Sequence, residues 1–149
     1  MIRFLTNLVS TVIFVGYIPF ASGTFGSLAA LFFIYYVKPD NILLIMFGFV
    51  GFFLGVFCAH KTEEESDIKD DKKIVIDEFV GYIVSVLFLP RSMVYLISAF
   101  ILFRFFDILK PFPIRVVERK IKGGLGIMID DIIAAIPVNI ILQIINFLS

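Results

Sequence analysis

The chain has 149 residues, of which 60% are hydrophobic and only 17% charged, with a mean hydropathy of +1.01. That leaves too little polar surface to cover a water-soluble globule, so the exterior is expected to meet lipid, and the length suits a single domain over 1–149. Thirteen basic and thirteen acidic residues balance, which excludes the broad positive field of a nucleic-acid binder, and the lone Cys58 excludes an intrachain disulfide or a multi-cysteine metal centre.

The first apolar run covers 4–20. Arg3, Thr6, Asn7, Ser10 and Thr11 recur through it at helical spacing and make one polar stripe. That pattern suits an interfacial helix lying along a membrane; a spanning helix with its stripe turned to a bundle is the alternative. Arg3 and the run behind it look like a signal peptide, but further apolar runs follow in place of a cleavage site and a soluble domain. Those runs are 25–37, 42–59, 74–89, 93–106 and 127–148. Only 42–59 and 127–148 approach the ~20 residues a spanning helix needs. The shorter ones reach roughly 20–25 Å at the helical rise, so they must borrow flanking residues or thin the bilayer. The predicted fold is an all-α polytopic membrane helix bundle, with about five short spans plus the N-terminal interfacial helix.

Two polar stretches, 60–73 and 107–124, hold most of the basic residues. The first carries Lys61, Lys69, Lys72 and Lys73; the second carries Lys110, Arg115, Arg119, Lys120 and Lys122. The opposite connections hold only Lys38 and Arg91, so both basic stretches are expected on the cytoplasmic side and the C-terminus outside. The turn at 19–24 then falls on that same side. Glu63, Glu64, Glu65, Asp67, Asp70 and Asp71 read as a solvated, mobile loop, and His60 as a bystander at the boundary.

Two pairs of carboxylates sit inside apolar runs: Asp77 and Glu78, and Asp130 and Asp131. A charge at membrane depth costs a few kcal/mol, so two adjacent pairs call for compensation. Helix N-termini supply some, and one of each pair fits such a cap. A divalent cation supplies more, because carboxylate oxygens are the hard ligands that Mg²⁺ and Ca²⁺ prefer. Arg104, Asp107 and Lys110 are spaced by three and share a face if the helix persists to Lys110, ahead of Pro111 and Pro113. They read either as an ion pair at a helix end or as a carboxylate flanked by two cations for phosphate oxygens, with Arg115 close behind. Gly23, Thr24 and Gly26 precede one apolar run and Gly123, Gly124 and Gly126 another, where free amides can meet an anion.

A cysteine phosphatase needs Arg six places after its Cys, and here that residue is Glu64. A pair of Asp residues separated by one residue, as an aspartyl-phosphate mechanism needs, is absent, and there is one His. Metal-assisted attack by water remains, with basic side chains neutralising the phosphate. Four stretches carry a resemblance. They are Pro19-Phe20-Ala21-Ser22-Gly23-Thr24-Phe25-Gly26-Ser27, Ile74-Val75-Ile76-Asp77-Glu78-Phe79-Val80-Gly81, Phe103-Arg104-Phe105-Phe106-Asp107-Ile108-Leu109-Lys110-Pro111-Phe112-Pro113-Ile114 and Gly123-Gly124-Leu125-Gly126-Ile127-Met128-Ile129-Asp130-Asp131. In this order, over nearly the whole chain, they resemble the signature stretches of phosphatidylglycerophosphatase A. Ser22 stands where that family is expected to carry Pro, and Phe112 where it is expected to carry Trp. The resemblance implies a Mg²⁺-dependent enzyme of the bacterial inner membrane, facing the cytoplasm, that converts phosphatidylglycerol phosphate to phosphatidylglycerol.

On the chemistry above, Asp77, Glu78, Asp107, Asp130 and Asp131 are expected to supply the Mg²⁺ ligands and the base. Lys61, Arg104, Lys110 and Arg115 are expected on the phosphate, with Thr24 and the amides near Gly23 and Gly26 on the headgroup. A small cation-coupled transporter is the competing class, since intramembrane carboxylates also mark ion paths. Transporter sites lie near the bilayer midplane within repeated halves, and this chain shows no repeat.

Single cysteines at Asp67, Lys120 and Ser149 in a Cys58→Ala background test the topology. Asp67 and Lys120 are expected to react only from the cytoplasmic side and Ser149 only from outside; opposite reporting by the first two would separate the polar stretches.

Overall fold

The protein is described here by a computed structural model for residues 2–68, 71–112 and 114–148, the side chains of residues 118 and 119 excepted. Lys69, Asp70, Pro113 and the Arg119 side chain therefore lie outside the described residues. All regular structure among them is helical. The helices are α1 (Ile2–Ser10), a 3-10 turn (Val15–Tyr17), α2 (Ser22–Val37), α3 (Asn41–Ser66), α4 (Ile76–Ser85), α5 (Met93–Leu109), α6 (Ile114–Lys120) and α7 (Gly123–Leu148).

Local chemistry explains most of the boundaries. Asp40 caps α3, its Oδ1 accepting the Leu43 N–H at 2.8 Å. Lys38 ends α2 and Lys110 ends α5, both in the left-handed conformation. Pro111 follows Lys110 and blocks continuation. α3 runs beyond its apolar segment, so His60 to Glu65 are helical and not a loop as expected. Lys61 and His60 each pair with Glu64, at 2.7 and 3.4 Å, which supports those last turns. Asp71, read as solvated, is buried, and its Oδ1 accepts the Lys73 N–H.

The 4–20 run is not one helix. α1 has nine residues, about 14 Å of helix, too short to span. Thr11 ends it: its hydroxyl donates to Asn7 O and accepts the Phe14 N–H, and Val12, Ile13 and Phe14 turn left-handed. The polar stripe faces the protein, with Ser10 Oγ 2.8 Å from Thr62 Oγ1. Ile2, Phe4 and Leu5 are left exposed on the other side.

α4 is the centre, packed against α2, α3, α5 and α7. Its Tyr82 and Ile83, with Leu96, Phe103 and Val138, are fully buried. The helices alternate in direction. At one end Ser22, opening α2, donates to Lys72 O just ahead of α4. At the other, Asn41, opening α3, accepts from Phe88 N and Arg91 Nη2 just after α4. The starts of α2, α4 and α7 therefore share one end with the finishes of α3 and α5.

The surface is apolar where a soluble protein would be polar: Phe49 is 66% exposed, Val94 73% and Ile101 61%, while Ser27, Ser85, Asp130 and Asp131 are buried. α3 and α7 are long and apolar enough to cross a membrane. α4 is not. Its ten residues give about 15 Å, and the predicted 74–89 run starts before the helix and ends in a turn. That turn is buried against α7, whose Asn139 Nδ2 donates to Leu87 O, Ser85 O and Val84 O at 2.8, 3.1 and 3.5 Å. Gln143, one turn on, donates to Leu87 O, and Arg91 Nη1 to Val86 O and Leu89 O. Side chains thus take up carbonyls that a longer helix would have satisfied.

Asn139→Leu strips those carbonyls of their donor. It is expected to lower stability by about 2 kcal/mol, read as a fall in melting temperature in detergent; unchanged melting would mean the Asn139 amide contributes nothing there.

Candidate functional site

Asp77 and Glu78 occupy the first turn of α4, where the helix dipole favours anions, although Val75 offers no side-chain cap. Asp130 and Asp131 lie two turns inside α7, so the capping alternative fails for them. Successive helix residues point about 100° apart. Asp131 turns to α4, and Asp130 turns to the end of α5. Asp107 sits in the last turn of α5, the end where an anion is disfavoured, and is 9% exposed.

Two of these carboxylates have close cations. Arg104 Nη1 lies 2.5 Å from Asp107 Oδ2, one turn away on α5. Lys110 Nζ lies 2.5 Å from Asp130 Oδ2. α5 stops at Leu109, one residue short of carrying Lys110 on its face. The left-handed Lys110 then reaches α7 instead of sharing Asp107 with Arg104.

The other three face one another. One carboxylate oxygen each from Asp77, Glu78 and Asp131 falls within 4.8 Å of the other two. Asp77 Oδ1, Glu78 Oε2 and Asp131 Oδ2 are buried with no hydrogen-bond partner, and Arg104 comes to Glu78 only at 3.8 Å. Two ionised carboxylates at that separation repel by roughly 3 kcal/mol at an effective dielectric of 20. Three hard oxygen donors with unfilled lone pairs are a fitting ligand set for Mg²⁺, which takes carboxylates and keeps several waters. The residues present therefore fit such an ion.

A cavity of about 490 Å³ opens over this trio and is lined as well by Asp107, Lys110 and Asp130. All five predicted carboxylates are thus brought to one place. Lys110 joins them in the wall; Arg104 stands behind, bridging α5 to Glu78. Gly23 contributes by having no side chain: a Cβ there would fall 1.9 Å from Glu78 Oε1, so glycine lets α2 close over that carboxylate. Gly26 does a different job, because a Cβ would strike Val75; it sets the packing of α2 on the approach to α4. Thr24 is outside the cavity wall, and its N–H is used on Ala21 O. Lys61 pairs with Glu64 on the surface of α3, and Arg115 reaches back to Leu109 O; neither lines the cavity.

The cavity also includes Ser22, Glu63, Asp71, Lys72 and Lys122, none of them singled out as site residues from sequence. Lys72 counted there only as a charge that orients the chain, and Lys122 as such a charge or as a partner for anionic headgroups. The signal that marks them is position: each comes just before a helix that carries carboxylates, Lys72 ahead of α4 and Lys122 ahead of α7.

A family model described as phosphatidylglycerophosphatase A matches residues 8–146. Phosphatidylglycerophosphatase A of Haemophilus influenzae is 42% identical over 130 residues, covering 85% of this chain and 80% of that one. The protein of the same name from Escherichia coli is 38% identical over 126 residues, 81% of this chain and 72% of that one. A Bacteroides thetaiotaomicron protein, provisionally named as a phosphatidylinositol-3-phosphatase, is 37% identical over 146 residues, 89% and 88% of the two chains. No solved structure matches.

If the trio is held apart by a cation, removing one charge relieves repulsion when that cation is absent. Asp131→Asn is expected to keep or raise the melting temperature in chelator. It is also expected to lose the stabilisation that added Mg²⁺ gives the parent protein. Lys110→Ala, which leaves Asp130 buried without its cation, is expected to lower the melting temperature. An Asp131→Asn variant still stabilised by Mg²⁺ to the parent's extent would remove Asp131 from the ligand set.

Proposed function

The chain belongs to the phosphatidylglycerophosphatase A family, and on that premise we propose that it hydrolyses the terminal phosphomonoester of phosphatidylglycerol phosphate, leaving phosphatidylglycerol in the bilayer. The observation that carries the mechanism is the facing trio of Asp77, Glu78 and Asp131, each with one buried oxygen that has no hydrogen-bond partner. These three would hold Mg²⁺. The ion, when bound, supplies Lewis-acid polarisation of the phosphate and lowers the pKa of a bound water.

The chain's own groups divide the remaining work. Lys110, Lys72 and Lys122 bring positive charge to the cavity wall, where the phosphate's non-bridging oxygens need neutralising. Arg104, fixed by Asp107 and near Glu78, holds two carboxylates at their angle to the cavity. Asp107 and Asp130 each lie against a cation and line the cavity, which suits them to orient the attacking water. The water oxygen bonds to phosphorus, the ester P–O bond breaks, and one water proton ends on the departing glycerol oxygen. Inorganic phosphate leaves from the open side.

In this reading α2, α3, α4, α5 and α7 cross the inner membrane of a bacterium, and α1 lies along its cytoplasmic surface. α4 does so although it is short, because its neighbours and not lipid surround it. The basic residues flanking the cavity support a site that faces the cytoplasm. A transporter is disfavoured by depth, since the carboxylates gather at one end of the bundle among helix termini.

Phosphate release by purified protein from phosphatidylglycerol phosphate, with and without chelator, tests this. Chelator is expected to abolish release and Mg²⁺ to restore it, while alkylation of Cys58 leaves turnover intact. Asp77→Asn and Asp131→Asn are each expected to lose at least about 10²-fold in kcat. Full activity in chelator would overturn the metal site, and no release under any condition would overturn the phosphatase assignment.

A further inference from the structure

A second cavity, about 570 Å³, lies beside the first and shares Ser22, Asp71 and Lys72 with it. Its own wall adds Lys73 and the 3-10 turn, with Gly16 and Tyr17. The carboxylate trio does not reach it, and no step in the proposed hydrolysis uses it.

Its construction is specific. Gly16 lies so close to Lys73 O that a Cβ would come within 1.9 Å, which seats the 3-10 turn directly on the Lys72–Lys73 backbone. Asp71 accepts the Lys73 N–H and is 6% exposed, so it shapes the turn and keeps its charge largely out of the opening. Lys73 Nζ stands 5.4 Å from the centre of the Tyr17 ring, and Tyr17 Oη accepts from Asn7 Nδ2 at 2.7 Å. A ring face holds an ammonium without neutralising it. Among the described residues neither Lys72 nor Lys73 has a carboxylate within ion-pairing distance. Tyr17, Ile18 and Pro19 add apolar surface to the wall, and Tyr17 is exposed. Two cations with no ion-paired carboxylate among the described residues, beside the Tyr17 ring and adjoining the first cavity, describe a place for an anion attached to a lipid.

Phosphatidylglycerol phosphate carries two phosphates, the monoester to be cleaved and a diester one glycerol away on the acyl-chain side. Building on the proposed function, we propose that the cavity lined by Lys72, Lys73 and Tyr17 is the subsite for this diester, so that the enzyme selects lipid phosphomonoesters bearing a second anionic phosphate. Lys72, common to both cavities, stands between the two phosphates, and the apolar part of the wall meets the start of the acyl chains. A lipid with one phosphate, such as phosphatidic acid, fills the first cavity alone.

The test compares phosphatidylglycerol phosphate with phosphatidic acid in mixed micelles of fixed surface charge. Lys73→Ala is expected to raise KM for phosphatidylglycerol phosphate about tenfold, the worth of one charge-assisted contact, with a much smaller change in kcat. Its effect on phosphatidic acid is expected to stay within about twofold, as for a surface charge, and Lys73→Arg is expected to recover most of the loss. Phosphatidylglycerol, which has the diester and no monoester, is expected to inhibit phosphatidic acid hydrolysis by the parent more strongly than by Lys73→Ala. Equal losses on both lipids, no loss on either, or undiminished inhibition by phosphatidylglycerol would overturn the subsite while leaving the phosphatase standing. Failure of the parent protein to release phosphate from either lipid would overturn both.

Discussion

Mutual repulsion among buried carboxylates is the constraint around which this bundle is arranged. Asp77, Glu78 and Asp131 meet at the floor of the cavity, and three of their oxygens find no donor. Charges placed this way raise the energy of the apo protein unless something offsets them. Their neighbours supply part of the offset. Arg104 is held by Asp107 and leans to Glu78, Lys110 crosses to Asp130, and the start of α4 turns its dipole to Asp77 and Glu78. A dication would complete the balance, and stability is thereby given up locally for a site that is preformed.

Bringing five helix ends together requires close backbone approach on one side and a shortened helix in the middle. Gly23 lets α2 lie against Glu78, and Gly16 lets the 3-10 turn lie against Lys73. α4 stops after ten residues, which leaves carbonyls from Val84 to Leu89 inside the protein. Asn139, Gln143 and Arg91 bond them. The polar side chains of α7 thus do two jobs at opposite ends. Asp130 and Asp131 build the cavity, and Asn139 and Gln143 complete the backbone of its central helix. An amphipathic reading of α7 would miss this division, because the helix has polar contacts at both ends and an apolar length between.

The proposed chemistry and the proposed selectivity rest on different parts of the molecule. In these proposals carboxylates from α4, α5 and α7 surround the bond to be broken, Lys73 faces the rest of the substrate, and Lys72 stands between the two. On that proposal the loop before α4 governs which lipid this chain accepts.

Much was legible from the residues alone. Carboxylate pairs inside apolar runs stand out because burying charge is costly, so Asp77, Glu78, Asp130 and Asp131 were marked by expense, and Asp107 by its basic neighbours. The helical class followed from the apolar runs, and the stop of α5 from Pro111. What a linear chain cannot show is which groups face each other across helices. Lys110 pairs with Asp130 and not Asp107 because one residue of helix is missing and a left-handed cap swings the side chain to α7. Lys61 looked equivalent to Lys110 in sequence, yet helical continuation of α3 puts it on Glu64, away from the cavity. Lys72 and Lys122 entered the site for the converse reason: packing brought their turns to the carboxylates. Local sequence determined which carboxylates lie within apolar runs, since that depends on hydropathy along the chain, although it missed the burial of Asp71. Only tertiary structure decided which charges meet, because a pairing depends on the rotation and length of two helices at once.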